Sequence, residues 1–127
     1  MKIGMMSFAH MHAYSYADSL MKLPHVELVG IYDDNEERGK KAADTYKTDY
    51  FGDPDTFMAS GMDAVIICSE NNRHKEMTIK AARAKKHILC EKPLATTVED
   101  AKEMMAVCEE EGVLLQTAFP VRFSAPI

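Results

Sequence analysis

Ala64-Val65-Ile66-Ile67-Cys68, followed at once by Ser69-Glu70-Asn71-Asn72, is apolar at every position of the run. A strand with one wet face alternates apolar and polar residues. An unbroken apolar run bounded by turn-forming residues instead fits a parallel strand buried on both faces, near the centre of a sheet. Such a sheet needs helices on both sides, and the flanking sequence has the pattern for them. Downstream, a helix is expected from about Arg73 to Lys85, with Met77, Ile79–Ala81 and Ala82–Ala84 on its packing side, and His87–Cys90 is the next strand. Upstream, Asp53-Pro54-Asp55 opens a short helix carrying Phe57 and Met58, which Gly61 closes, and Asp49-Tyr50-Phe51 forms a brief edge strand.

The same unit recurs outward in both directions. Lys2–Met6 reads as a strand, followed by a helix from His10 to Leu23 that stops at Pro24. Val26–Tyr32 is β-branched and apolar, and Asp33-Asp34-Asn35 supplies capping residues for a charged helix over Glu36–Tyr46. Near the other end, Thr96-Thr97-Val98-Glu99 resembles a capping box for a helix running to Glu111. Gly112 ends it, and Val113–Gln116 is the last strand. Strands alternating with helices of 10 to 15 residues predict an α/β fold: a doubly wound parallel sheet of about six strands in the order 3-2-1-4-5-6, the Rossmann type. The pattern covers residues 1–119 and is lost over residues 120–127, Pro120 to Ile127.

Composition excludes several functions. The 127 residues carry a net charge of −5, a pI near 5.5 and lysines spread along the chain, so there is no basic footprint for nucleic acid. Cys68, Cys90 and Cys108 are odd in number and lack CxxC spacing, which fits a reducing cytoplasm. No apolar stretch approaches the roughly 18 residues of a membrane span, and Met1-Lys2 leads straight into a strand pattern rather than a signal peptide. Met5, Met6, Met11, Met21 and Met58 lie in apolar runs and are expected to fill the core.

In an open α/β sheet ligands bind beyond the carboxyl ends of the strands, so the residues that follow each strand are the candidate site. After the first strand, a dinucleotide fold would carry G-x-G-x-x-G. Here the positions read Ser7-Phe8-Ala9-His10-Met11-His12, with no glycine. Ser7 and Ala9 are small enough for a tight turn, but a Cβ at Ala9 costs clearance and His12 crowds the helix against the strand. His10 and His12 also form an HxH. They would point together on a strand and chelate a metal, but apart on a helix, which the run Met11-Ala13-Tyr14-Ala17-Leu20-Met21 favours. Asp33, at the end of the second strand, is placed to accept ribose hydroxyls, the alternative being a helix N-cap. Ser69, Glu70, Asn71 and His74 follow the central strand beside the switch point. Their alternative is plain helix capping, with His74 merely exposed. Cys90-Glu91-Lys92-Pro93-Leu94-Ala95 puts a lysine at a strand's end, and Pro93 biases Lys92 toward an extended backbone. Lys92 is therefore the candidate proton-transferring group, against the alternative of a solvated loop charge.

Taken together, the chain resembles the N-terminal domain of the Gfo/Idh/MocA oxidoreductases, the glucose-fructose oxidoreductase and inositol dehydrogenase group. Glu91-Lys92-Pro93 matches that family's EKP motif, and Ser69-Glu70-Asn71-Asn72-Arg73-His74 follows its T-P-N-x-x-H, with Glu70 in place of the usual proline. Arg122-Phe123 resembles the RF pair where the family crosses to its second domain. The resemblance implies the nucleotide-binding half of an NAD(P)-dependent oxidoreductase acting on a secondary alcohol of a sugar or cyclitol, homo-oligomeric in its full-length form. It implies that Lys92 touches both nicotinamide and substrate, that Glu91 helps to order the cofactor loop, and that Asp33 holds the ribose. Cofactor contacts are then expected from Ser7, Phe8, Ala9, His10, Met11, Asp33, Ser69, Glu70, Asn71, His74, Glu91, Lys92 and Arg122. Two carboxylates, Asp33 and Asp34, with no Arg or Lys before Arg38, favour NAD over NADP. Two other classes stay open: a non-catalytic binding or regulatory relative that has lost the cofactor, and a metal-dependent hydrolase using His10 and His12.

Overall fold

The computed structural model describes residues 1–9, 13–69, 73–91 and 97–118. Eleven elements alternate along them: β1 (Lys2–Met6), α1 (Ala13–Met21), β2 (Glu27–Tyr32), α2 (Glu36–Tyr46), β3 (Tyr50–Phe51), α3 (Pro54–Met58), β4 (Ala64–Ile67), α4 (His74–Arg83), β5 (His87–Glu91), α5 (Val98–Glu111) and β6 (Leu115–Ala118). The six strands form one sheet in the order β3-β2-β1-β4-β5-β6, and every neighbouring pair is parallel. The expected architecture and strand order are therefore observed. β1 and β4 share the centre, with Met5 opposite Ile66 and Met6 opposite Ile67.

Side-chain alternation along each strand divides the core in two. Ile3 and Met5, Ile31, and Ile66 with Cys68 face α1 and α2, meeting Ala13, Ala17, Leu20, Ala42, Ala43 and Tyr46. Met6, Tyr32, Val65, Ile67, Ile88 and Cys90 face the other way, onto Phe57 and Met58 of α3, Met77, Ala81 and Ala82 of α4, and Met104, Val107 and Cys108 of α5. This is why the central strands read as unbroken apolar runs: both faces are covered. Gly4 lets α3 approach β1, since a Cβ there would stand 2.6 Å from Cζ of Phe57.

Several boundaries differ from the sequence reading, each for a local reason. The N-cap of α5 is Thr97, whose hydroxyl accepts the Asp100 amide, rather than a box built on Thr96 and Glu99. β6 begins two residues late because Gly112 (φ 73°) and Val113 are occupied in closing α5, the Val113 amide donating to the Cys108 carbonyl. The Leu114 amide then donates to His87 Nδ1 before the ladder with β5 takes over. α3 is capped at Ala59, and Gly61 (φ 86°) instead turns the chain toward β4. Met5, Met6 and Met58 are buried as expected, but Met21 is 56% exposed: Leu20 takes the inward position of α1, and the next residue lies about 100° around the helix. Met11 lies outside the described residues. Cys68, Cys90 and Cys108 are buried, and none of them forms a disulfide.

Gly39 shows that packing outweighs helix propensity here. It lies inside α2, where alanine would ordinarily gain about 1 kcal/mol. A Cβ would stand 2.8 Å from Cβ of Asp33 and nearer still to the Tyr50 ring. Gly39→Ala is therefore expected to destabilise the fold by about 1–3 kcal/mol, as overpacking does, in urea unfolding monitored by circular dichroism. A stabilised variant would show that the Tyr50 ring moves aside freely.

Candidate functional site at the carboxyl edge of the sheet

The turn after β1 and the loop after β2 are joined by one buried anion. Asp33 has no exposed surface. Its Oδ2 accepts the Phe8 amide at 2.9 Å and Arg38 Nε at 2.8 Å, while Oδ1 accepts the Asn35 amide at 3.0 Å and Arg38 Nη2 at 2.6 Å. Burial alone opposes the charge. The Arg38 fork and the two amides outweigh it and hold the carboxyl below the usual aspartate range. From β3, the Tyr50 hydroxyl donates to the Asp33 carbonyl at 3.0 Å, so the residue is fixed at both ends. The helix N-cap is Asn35, whose side chain accepts the Arg38 amide. Asp33 is thus free of capping duty, as the run of three capping residues implied.

Ser7 stands where the first fingerprint glycine would stand, and its φ of 78° is one that glycine adopts readily and other residues rarely. Its amide donates to the Tyr32 carbonyl at 2.6 Å, tying the turn to β2, and its hydroxyl accepts the Ala9 amide at 3.0 Å. The amides of Ser7, Phe8 and Ala9 therefore all have partners within the protein. The Ala9 amide is thus satisfied by a protein hydroxyl. Phe8 turns its ring inward, edge-on to Tyr14 at 4.9 Å, so only its backbone belongs to the edge. Small residues, a left-handed first position and an acidic loop beyond β2 together fit a dinucleotide, provided that one hydroxyl gives way.

Beyond β4, Ser69 and His74 are both buried. His74 Nε2 lies 3.1 Å from the Ser69 carbonyl, and because a carbonyl only accepts, Nε2 carries the proton. His74 is thus an internal brace for the end of β4, not the exposed residue of the alternative reading. Sequence reasoning did not single out Arg73, which precedes α4. Its guanidinium pairs with Asp34 and reaches Glu76 at 3.5 Å. Arg38 closes the other side, Nη2 lying 3.3 Å from Asp34 Oδ1. The i,i+4 spacing of Asp34 and Arg38 was a readable signal, but Arg73 comes from 39 positions away and had none. His10, Met11, His12, Glu70, Asn71, Lys92 and Arg122 lie outside the described residues, as does the side chain of Glu91, the last residue of β5. Among the described residues no cluster of His, Cys, Asp or Glu is arranged to hold a metal ion.

Two expected outcomes follow from this geometry. A carboxyl whose folded-state pKa is depressed contributes stability above its unfolded pKa of about 3.9, and loses that contribution as pH falls through the lower folded value. Stability should therefore fall below about pH 4, and Asp33→Asn should flatten that limb of an acid titration of urea midpoints. An unchanged limb would mean that Asp33 is not the linked group. At the turn, Ser7→Gly removes the strained φ and frees the Ala9 amide, and should tighten dinucleotide binding several-fold. Ser7→Val, β-branched at positive φ, should cost about 1–3 kcal/mol of stability. Calorimetric titration and urea unfolding check the two arms.

The comparisons agree with this architecture. Residues 2–119 match the family model for the oxidoreductase family, NAD-binding Rossmann fold, Gfo/Idh/MocA. A 1,5-anhydro-D-fructose reductase of Ensifer adhaerens is 40% identical over 78% of the chain, and a myo-inositol 2-dehydrogenase of Thermotoga maritima is 31% identical over 97%. The chain covers 30% and 37% of those two proteins, so it spans about a third of the length of the curated relatives it matches. The crystal structure of the WlbA dehydrogenase from Bordetella pertussis, in complex with NADH and UDP-GlcNAcA, superposes with a TM-score of 0.91 at 28% identity, over 98% of this chain and 38% of that one. With its strand order, its turn after β1 and its acidic loop after β2, the chain belongs to the Gfo/Idh/MocA oxidoreductase family, of which it carries the NAD-binding Rossmann domain.

Proposed function

We propose that this chain is the NAD-binding half of a dehydrogenase acting on a secondary alcohol of a sugar or polyol, with residues 1–119 forming the cofactor domain and residues 120–127 beginning the crossing to a substrate domain. The observation that carries the reading is the Asp33 anchor: an ionised carboxylate locks the turn after β1 to the loop after β2, the two segments that flank a dinucleotide at a switch point. The named relatives support the substrate class, being a reductase of an anhydro sugar and a dehydrogenase of an inositol.

When bound, the nicotinamide supplies the hydride chemistry. The chain's own residues bind and orient it. Ser7, Phe8 and Ala9, with His10 and Met11, would face the pyrophosphate, and the Asp33-Asp34 pair the adenosine ribose. Glu70 and Asn71 are cofactor contacts that follow β4, with buried Ser69 and His74 bracing that strand end from within, and Glu91 and Arg122 are further cofactor contacts in this reading. Lys92, the next residue in sequence after β5, would be the group that takes up or returns the alcohol proton at Nζ. The acidic pair after β2 supports NAD over NADP. No described helix is long and apolar enough to cross a membrane, and an acidic surface supports neither membrane nor nucleic-acid partners. We place the protein in the cytoplasm, as a homo-oligomer when joined to its substrate domain.

Calorimetry with NAD tests the reading: binding tighter than about 1 mM is expected, and no heat at higher concentration would favour a relative that has lost its cofactor. The 127-residue polypeptide alone should not reduce NAD in the presence of a polyol panel, because a crevice needs a second wall to hold the carbinol carbon within reach. Steady turnover that vanishes in Lys92→Met would overturn that expectation.

A further inference from the structure

We propose that the outer face of α4 is a two-fold interface, on which a second copy of this chain docks with its own α4 running antiparallel. The inference goes beyond the homo-oligomer proposed above, because it assigns a contact to the nucleotide-binding domain itself and does not depend on the cofactor. An open groove of about 470 Å³ lies between α3 and α4. Met58 and Ile79 contribute to its apolar floor, and Asp55, Glu76, Lys80 and Arg83 carry the charge along its sides. Glu76, Ile79, Lys80 and Arg83 are spaced i, i+3, i+4 and i+7, so they form one stripe of the helix. His74, Met77, Thr78, Ala81 and Ala82 are the buried residues of α4, which leaves that stripe facing outward. Lys80 Nζ holds Asp55 of α3 at 2.8 Å and ties the two walls together.

The order of charge along the stripe selects the occupant. It is acidic at Glu76 near the start of α4, apolar at Ile79 in the middle and basic at Arg83 in the last turn. Both end charges are open to solvent, with side chains 68% and 57% exposed. Among the described residues Glu76 reaches Arg73 at 3.5 Å and Arg83 reaches Glu111 at 3.4 Å, longer than the roughly 2.7–2.9 Å of a strong charged hydrogen bond. A uniformly acidic partner would be repelled at Glu76 and a uniformly basic one at Arg83. A second α4 turned end for end carries the reverse order and meets neither obstacle. With the two-fold axis passing between Ile79 and Lys80, Glu76 stands opposite the partner's Arg83, and the symmetry repeats that pair on the other side. Ile79 then meets the aliphatic stem of the partner's Lys80, and the charged pairs enclose an apolar centre.

Sedimentation equilibrium of the 127-residue chain, from about 10 μM to about 1 mM, tests this. The wild type should form a dimer within that range. Glu76→Arg and Arg83→Glu should each weaken it at least about tenfold, because each sets like charges against one another at two symmetric places. The double variant Glu76→Arg/Arg83→Glu exchanges the signs of both pairs and should recover most of the wild-type affinity. Circular dichroism should show native helix content in all three variants, since both positions are at the surface. A wild type that is monomeric at about 1 mM would overturn the inference. So would a dimer that both single variants leave intact, or one that the double variant fails to restore. The cofactor reading stands or falls separately, on the NAD titration above.

Discussion

An ionised carboxylate buried without exposure is expensive unless every lone pair finds a donor, and the carboxyl edge of this sheet is built around meeting that condition for Asp33. Two backbone amides and a forked arginine converge on it from the turn after β1, the start of α2 and the first turn of that helix. Removing the guanidinium would leave the charge buried and unpaired, at a cost of roughly 3–5 kcal/mol. So high a penalty makes the arrangement all-or-none. The turn after β1 and the loop after β2 are therefore held as one unit, which a surface ion pair of under about 1 kcal/mol would not achieve.

Packing beneath the edge serves the same end. The Asp33 backbone is held by the Tyr50 hydroxyl, and Tyr50 lies against α2 only because position 39 has no Cβ. On the opposite face Gly4 admits Phe57 and Met62 against β1, which brings the short α3 close to the central strand. Tyr46 ties α2 to α1, its hydroxyl donating to Asp18 at 2.8 Å, and burial with that carboxylate pushes its ionisation up. The helices that frame the edge are thus fixed to one another as well as to the sheet.

The turn after β1 opens on a serine held in a left-handed conformation. Ser7 adopts a φ that glycine takes readily, at a strain on the order of 1 kcal/mol, and its hydroxyl then satisfies the Ala9 amide. Here the amides of Ser7, Phe8 and Ala9 are all satisfied internally, by the Tyr32 carbonyl, the Asp33 carboxylate and the Ser7 hydroxyl.

The fold was legible in the chain itself, because a strand buried on both faces must be apolar at every position and because α2, α3 and α5 carry their own N-capping residues. Ala64–Cys68, Asn35, Gly112 and Pro54 are signals of that kind, and the strand order follows from right-handed crossovers between parallel strands. The candidate positions after β1, β2 and β4 were legible for the same reason, since topology alone puts them on one edge. Their roles were not. Whether Asp33 points to solvent or inward, whether His74 is exposed, and whether Asp34 stands alone depend on Arg38 turning back across a helical turn and on Arg73 arriving from 39 positions away. Propensity and periodicity describe neighbours in sequence; charge partners and burial are decided only when the sheet brings distant segments to a common edge.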